Sequence, residues 1–230
     1  MQLRLVALAD THLRHDRLVV PDGDVLVHAG DALQHGSLDE LERAIAYLRT
    51  LPHPTKVLVA GNHEVCLERR GPEARARLAD AGIHYLEDDT LTIDGITFYG
   101  SPWQPKFHFW AFGAARGPEL AAKWRKIPED VDVLVTHGPP YGFGDRIVWR
   151  DAVRNVGCAD LAARVREVAP PLHLFGHIHQ DPGVWESDGT VYANVTTDEG
   201  ALPATAFDLI RTRPSERPAI RPLPQRTRAP

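Results

Sequence analysis

The chain has 230 residues, of which 43% are hydrophobic and 25% charged, with a formal net charge of -5. That is a globular composition, and the length suits one large α/β domain or two small ones with a substantial core. From Arg211 to Pro230 there are six Arg and one Glu, a local balance of +5 that leaves -10 on the rest. A body this acidic argues against extended, sequence-blind contact with DNA or RNA.

Residues 3–9 read as a buried strand and 25–29 as a second. Ser37 then caps a helix. Asp39 and Glu40 suit the dipole of its first turn, and Leu38, Leu41, Ile45 and Leu48 form its apolar stripe. Residues 56–60 read as a third strand, and a charged helix over 72–81 ends at Gly82. The runs 91–93 and 96–99 flank Asp94-Gly95, a strong hairpin signal. Residues 100–117 are aromatic-rich and have no period. A helix over 119–127 leads to a fourth strand, 131–136, and another over 158–168 leads to a fifth, 172–175. The end is again β: 184–186, a turn at Ser187-Asp188-Gly189, 191–194 and 205–210. We divide the chain into a domain over 1–210 and a Pro/Arg-rich tail over 211–230, read first as a solvated end, with contact to acidic surface on its own body or a neighbouring subunit as the alternative. Strand–helix alternation in the early half predicts a parallel sheet with helices outside it. The late hairpins need antiparallel pairing. Two mixed sheets packed face to face, with helices on their outer faces, satisfy both.

Five of the apolar runs end on residues that bind metals. These are Asp10-Thr11-His12, Gly30-Asp31, Gly61-Asn62-His63-Glu64, Thr136-His137-Gly138 and Gly176-His177-Ile178-His179. Each would sit at the carboxyl end of a strand, where ligands of α/β sheets collect. Any one alone is a weak signal; the five in order are not. Carboxylate, imidazole and amide donors suit divalent ions, and the set without thiolate tolerates Mn, Fe, Zn or Co. We take manganese first. The donors outnumber what one ion holds. Counted out, Asp10, His12, Asp31 and His179 hold a first ion, and Asp31, Asn62, His137 and His177 a second, with Asp31 giving one oxygen to each. The two aspartates leave about two positive charges on the pair of ions, which suits a phosphate ester. Such a pair generates a bridging hydroxide that attacks phosphorus in line with the leaving oxygen. His63 is left over, beside Asn62, and is the candidate proton donor to the leaving alkoxide.

The other candidates have two readings each. Trp103 and Phe107 contact substrate at the rim of the site, or they cap the core along with Phe109, Trp110 and Phe112. Glu64 orients His63, or starts the next helix with a favourable charge. Asn194 holds a ligand histidine, or fills a turn. His28 reads as a packed residue and His35 as surface loop. His15, His53, His84, His108 and His173 receive no role. Cys66 and Cys158 have no Cys-x-x-Cys partner and read as reduced thiols. No apolar run is long enough to span a membrane, and the N-terminal one is too short for a signal peptide. The expected location is cytoplasmic, with no membrane partner and a homodimer left open.

The stations D-x-H, GD, GNH-[DE], a lone H and GHxH resemble the calcineurin-like metallophosphoesterase superfamily. GNHE at 61–64, YGSPWQP at 99–105, THGPP at 136–140, VGC at 156–158, FGHIH at 175–179 and DGTxYxN at 188–194 resemble one subfamily. It is that of the metallophosphoesterase-domain-containing proteins, class III phosphodiesterases related to bacterial cyclic-nucleotide phosphodiesterases. The resemblance implies a four-layer αββα sandwich, a two-metal site and hydrolysis of phosphodiesters, cyclic nucleotides included. Some members carry glycine at the place of His177; this chain keeps the histidine, so both metal positions are expected to fill. Two alternatives stand beside a phosphodiesterase. One is a phosphomonoesterase acting on a phosphoprotein or small phosphate. The other is a nucleotide-binding protein with weak turnover.

Overall fold

The computed structural model describes residues 1–224, and among them two six-stranded sheets carry the fold. The first runs in spatial order Ala219–Pro222, Thr205–Ile210, Gln2–Leu8, Val25–His28, Thr55–Val59, Ile83–Leu86. Its last four strands are parallel, and Thr205–Ile210 and Ala219–Pro222 are antiparallel additions. The second runs Gly183–Ser187, Thr190–Asn194, Leu172–Phe175, Val133–Thr136, Ile96–Ser101, Asp89–Ile93. Its inner strands are parallel, and both edge strands are antiparallel.

The period of two along each strand sorts side chains into layers. Leu5 and Ala7 point into a core shared between the sheets, with Val27, Val57, Phe98, Val135 and Leu174. Val6 and Leu8 point outward, against Leu41, Ile45 and Leu78 of the helices Leu38–Thr50 and Gly71–Asp80. On the opposite face Leu134 and Phe175 meet Trp124, Leu161 and Val165 of the helices Pro118–Trp124 and Ala159–Val168. The result is the four-layer αββα sandwich. Local signals hold as well. Ser37 accepts the Glu40 N–H, and the Glu40 carboxylate accepts those of His35 and Gly36 in return. Asp94 and Gly95 have φ of 47° and 75°, the twist that a two-residue hairpin requires. No helix among the described residues is long and apolar enough to cross a membrane.

Several elements are not announced by the sequence. They include the strand Ile83–Leu86, the short helix Val65–Arg69 and the exposed hairpin Arg146–Trp149 with Ala152–Asn155. The edge strand Ala219–Pro222 lies inside the segment read as a solvated tail, and basic residues fasten that segment to the body. Arg211 Nη2 donates to both Asp132 oxygens at 2.7 Å, and Arg217 donates to the Glu129 carbonyl at 2.7 Å. Residues 225–230 of the tail lie outside the described residues.

His173, within the strand Leu172–Phe175 of the second sheet, sets a pH limit on stability. Thr136 Oγ1 donates to the Gly138 carbonyl, so its contact with His173 Nε2 at 2.9 Å takes the ring's N–H. Nδ1 is then bare, buried and without a partner. Burial holds the ring down to about 3, from 6.5 in the unfolded chain. Between those values the unfolded chain carries a proton the fold refuses. This group's share of stability is therefore complete above pH 6.5 and is lost as pH falls, by about 1.4 kcal/mol per pH unit. Urea titrations at pH 7 and pH 5 are expected to show a smaller loss of stability for His173→Gln than for the wild type.

Candidate metal centre

The three strands Gln2–Leu8, Val25–His28 and Thr55–Val59 run parallel in one sheet, and Val133–Thr136 and Leu172–Phe175 run parallel in the other. The stations after them extend the ladders. Asp10 N–H donates to the Gly30 carbonyl at 2.9 Å, His12 N–H to Asp31 at 3.0 Å and Gly176 N–H to His137 at 2.9 Å. Asp10, His12 and His179 then offer ligand atoms within 4.8 Å of one another, as do Asp31, His137 and His177, and His12, Asp31 and His63.

The backbone is bent to do this. Asp10, His12, Asp31 and His177 have φ of 55°, 44°, 56° and 69°, a region where a non-glycine residue costs about 1–3 kcal/mol. Two devices hold the bends. A Cβ on Gly61 would strike Asp31 Oδ1 and the His137 ring, so only glycine permits this approach. The other device is Glu64, which is fully buried. Its Oε2 accepts the N–H groups of Asp31 and Gly61 at 2.8 and 2.5 Å, and its Oε1 that of Leu33 at 3.0 Å. Neither reading of Glu64 anticipates this. It makes no side-chain cap for the helix Val65–Arg69, and it ties the ends of two neighbouring strands together.

The histidine rings have fixed tautomers. Nδ1 of His12, His63 and His137 donates to the carbonyls of Leu33, Gln34 and Ala29, at 3.0, 2.5 and 3.0 Å. Nδ1 of His179 faces the Asp198 carboxylate at 3.0 Å. Each ring therefore presents Nε2 to the others, a second-partner arrangement typical of metal-binding histidines. Asp31 divides its two oxygens. Oδ1 accepts the His63 backbone N–H at 2.8 Å. Oδ2 faces the rings, 3.9 Å from Nε2 of His12 and of His63, and 3.3 Å from that of His137.

The donor set fits divalent cations. Around His137 Nε2 stand Asn62 Oδ1 at 3.0 Å, His177 Nδ1 at 3.2 Å and Asp31 Oδ2 at 3.3 Å. Ligand atoms each about 2.0–2.2 Å from one ion have such separations. His137 Nε2 and His177 Nδ1 face each other, and only a proton or a cation can lie between two ring nitrogens. The field favours positive charge here. Burial pushes His137 down, but Asp31 and then Asp10 outweigh it and raise the ring to about 9. Burial raises Asp31 too, yet His137, His63 and His12 outweigh it and hold the carboxyl well below its usual range. Burial, reinforced by His137, lowers His177 to about 3. Burial lifts Asp10 above its usual range, and Asp31 adds to the rise.

Above this cluster lies a cavity of about 520 Å³ that reaches His12, Asp31, Asn62, His63, His177 and His179. Phe107 lines it, with its ring 5.2 Å from that of His177. Trp103 turns away from it. Its ring packs on Phe112 and under Lys123, and its N–H reaches Asp88 at 3.2 Å. The ring beside the site is Trp110, stacked on His63 at 4.1 Å. Asn194 donates to the carbonyls of Gly144, Ile178 and Asp181, so it secures the loop that carries His177 and His179 through backbone carbonyls. His28 bonds Thr11 at 3.0 Å from within the packed interior. Asp198 was not anticipated. The available signal was the strand Thr190–Asn194, which is parallel to Leu172–Phe175 and so brings the residues after it to the same edge.

Known proteins share this architecture. The profile of the calcineurin-like phosphoesterases matches residues 3–181. Metallophosphoesterase domain-containing protein 1 of Homo sapiens is 39% identical over 215 residues, covering 84% of this chain and 65% of that protein. A UPF0046 protein of Caenorhabditis elegans is 35% identical over 224 residues, covering 92% of this chain and 73% of its own. Among solved structures, phosphopantetheinyl hydrolase from Mycobacterium tuberculosis has a TM-score of 0.55 at 18% identity, covering 86% of this chain and 90% of its own, a likeness of fold. The chain spans 65% of the length of the human relative. It belongs to the calcineurin-like phosphoesterase family.

Proposed function

We propose that the chain hydrolyses small phosphodiesters, cyclic nucleotides among them, at a two-ion centre held by Asp10, His12, Asp31, Asn62, His137, His177 and His179. The observation that carries this reading is Asp31 Oδ2, a single carboxylate oxygen faced by Nε2 of both His12 and His137. When bound, two divalent ions, manganese first and Fe, Zn or Co also matching, supply Lewis-acid activation of water near neutral pH and neutralise charge on the phosphoryl oxygens.

The chain's own residues supply the rest. His63 commits its Nδ1–H to the Gln34 carbonyl, so its transferable proton is on Nε2. From there it passes to the leaving alkoxide, while Trp110 holds the ring from its stacked face. The cavity wall of Phe107, Pro139 and Ile147 gives the organic part of a diester an apolar surface and keeps bulk water from the reacting phosphorus. The two free, buried cysteines support a reducing, cytoplasmic setting.

Bis-p-nitrophenyl phosphate is expected to turn over faster than p-nitrophenyl phosphate with manganese. A strong preference for the monoester would defeat the diester reading. His63→Ala is expected to keep its metal content and to lose about 10²–10⁴ in kcat. Metal loss in that variant equal to that of an Asp31 variant would refute its role as proton donor.

A further inference from the structure

The cavity over the metal centre holds two cations in its wall, Lys106 and Arg116. Neither side chain has a carboxylate partner among the described residues. Beside the cavity-lining Ile147, Arg146 by contrast pairs with Asp181 at 2.7 Å. Two cations left unpaired in one cavity wall, on a body of net negative charge, call for a ligand that supplies the missing anion.

Arg116 is also fixed in place. Its Nη1 donates to the Gly157 carbonyl at 2.7 Å and its Nη2 to that of Val156 at 2.5 Å. Those carbonyls are themselves anchored, because the Gly157 N–H donates at 3.0 Å to Asp145, a carboxylate with 0% exposure. The guanidinium keeps its remaining N–H donors unused. A planar cation held this way loses little freedom on binding and matches the oxygens of a phosphate two at a time. The metal centre already accounts for the phosphoryl group under attack. A second concentration of positive charge in the same cavity therefore matches a second anion on the same substrate.

We propose that Arg116 and Lys106 form an anion subsite, and that the substrate is a phosphodiester whose organic part bears a second phosphate, of the kind whose hydrolysis product is a nucleoside bisphosphate. This rests on the phosphoesterase reading above, and binding separates the two. Calorimetric titration of the manganese-loaded full chain compares thymidine 3′,5′-bisphosphate with thymidine 5′-monophosphate. The wild type is expected to bind the bisphosphate about tenfold more tightly. Arg116→Ala is expected to bring the ratio close to one. Because that variant also releases two carbonyls, Lys106→Ala serves as the second test, since its side chain makes no hydrogen bond among the described residues. It is expected to lower the ratio several-fold while the melting temperature stays that of the wild type. Equal affinities in the wild type, or a ratio that survives both substitutions, overturns the subsite. A ratio that behaves as expected in a protein that hydrolyses neither nitrophenyl ester supports the subsite and defeats the catalytic reading instead.

Discussion

Asp31→Asn is expected to empty both ion positions together and to cut phosphodiester turnover by at least about 10³-fold, or about 4 kcal/mol of transition-state stabilisation. Asparagine is the informative substitution. It tolerates the φ of 56° at this position, and its carbonyl keeps the bond that Asp31 Oδ1 makes to the His63 N–H at 2.8 Å. The amide NH₂ then replaces Oδ2 and points donor hydrogens toward the space shared by His12, His63 and His137. Backbone and volume are preserved while the one oxygen common to both donor groups is lost. Metal content after manganese loading and gel filtration is the direct readout. Thermal melts are the second, because ions that bind only the fold raise the midpoint by mass action, and the variant's midpoint should not respond. In metal-free protein, NMR titration should also show His137 falling from about 9, since Asp31 is the chief influence raising it. Retention of one ion at normal affinity would mean that the positions are independent and that Asp31 is not shared.

The stations were legible because a strand buried on both faces is a continuous apolar run, so the first polar residue after it marks the sheet's edge. That logic finds Asp10, Asp31, Asn62 and His137 with no knowledge of which strands are neighbours. It fails where neighbours decide the outcome. Asp198 follows a strand that reads as half of a hairpin with Gly183–Ser187, and that pairing is real. The second, parallel pairing with Leu172–Phe175 is long-range and leaves no local mark. Trp103 and Trp110 share one aperiodic segment, and distant Asp88 and Lys123 hold the first ring away from the cavity. The tail reads as solvated because its partners, Asp132 and the Glu129 carbonyl, are far off in sequence. Lys106 and Arg116 carry no pattern that separates them from other surface cations until the cavity is seen.

Glu64→Ala is expected to cost more stability than loss of any single metal ligand. The carboxylate takes three buried N–H groups, those of Asp31, Leu33 and Gly61. Each buried donor left without an acceptor costs about 1–3 kcal/mol. Together they predict a loss of about 3–5 kcal/mol or more, a large part of the stability of an ordinary domain. The loss would appear in the metal-free protein, because the clamp acts between strand ends and needs no ion. Glu64→Gln separates charge from geometry. One amide oxygen can keep the two bonds made by Oε2, while the NH₂ meets the Leu33 N–H donor against donor, so an intermediate loss is expected. Burial first, and then Asp31, raise Glu64 to about 7, against the pull of the Gly61 and Leu33 N–H groups. The folded value lies above the unfolded 4.5, so the fold binds a proton between the two that the unfolded chain does not. This group's stabilising share is thus present below pH 4.5 and is lost as pH rises through about 7. The deficit of the Gln variant relative to wild type should accordingly be smaller at pH 8 than at pH 5. Urea denaturation of the metal-free variants at both pH values measures all of this. A Glu64→Ala loss below about 1 kcal/mol would mean that the loops find their bent conformations without the clamp. The left-handed φ at Asp31 would then need another cause.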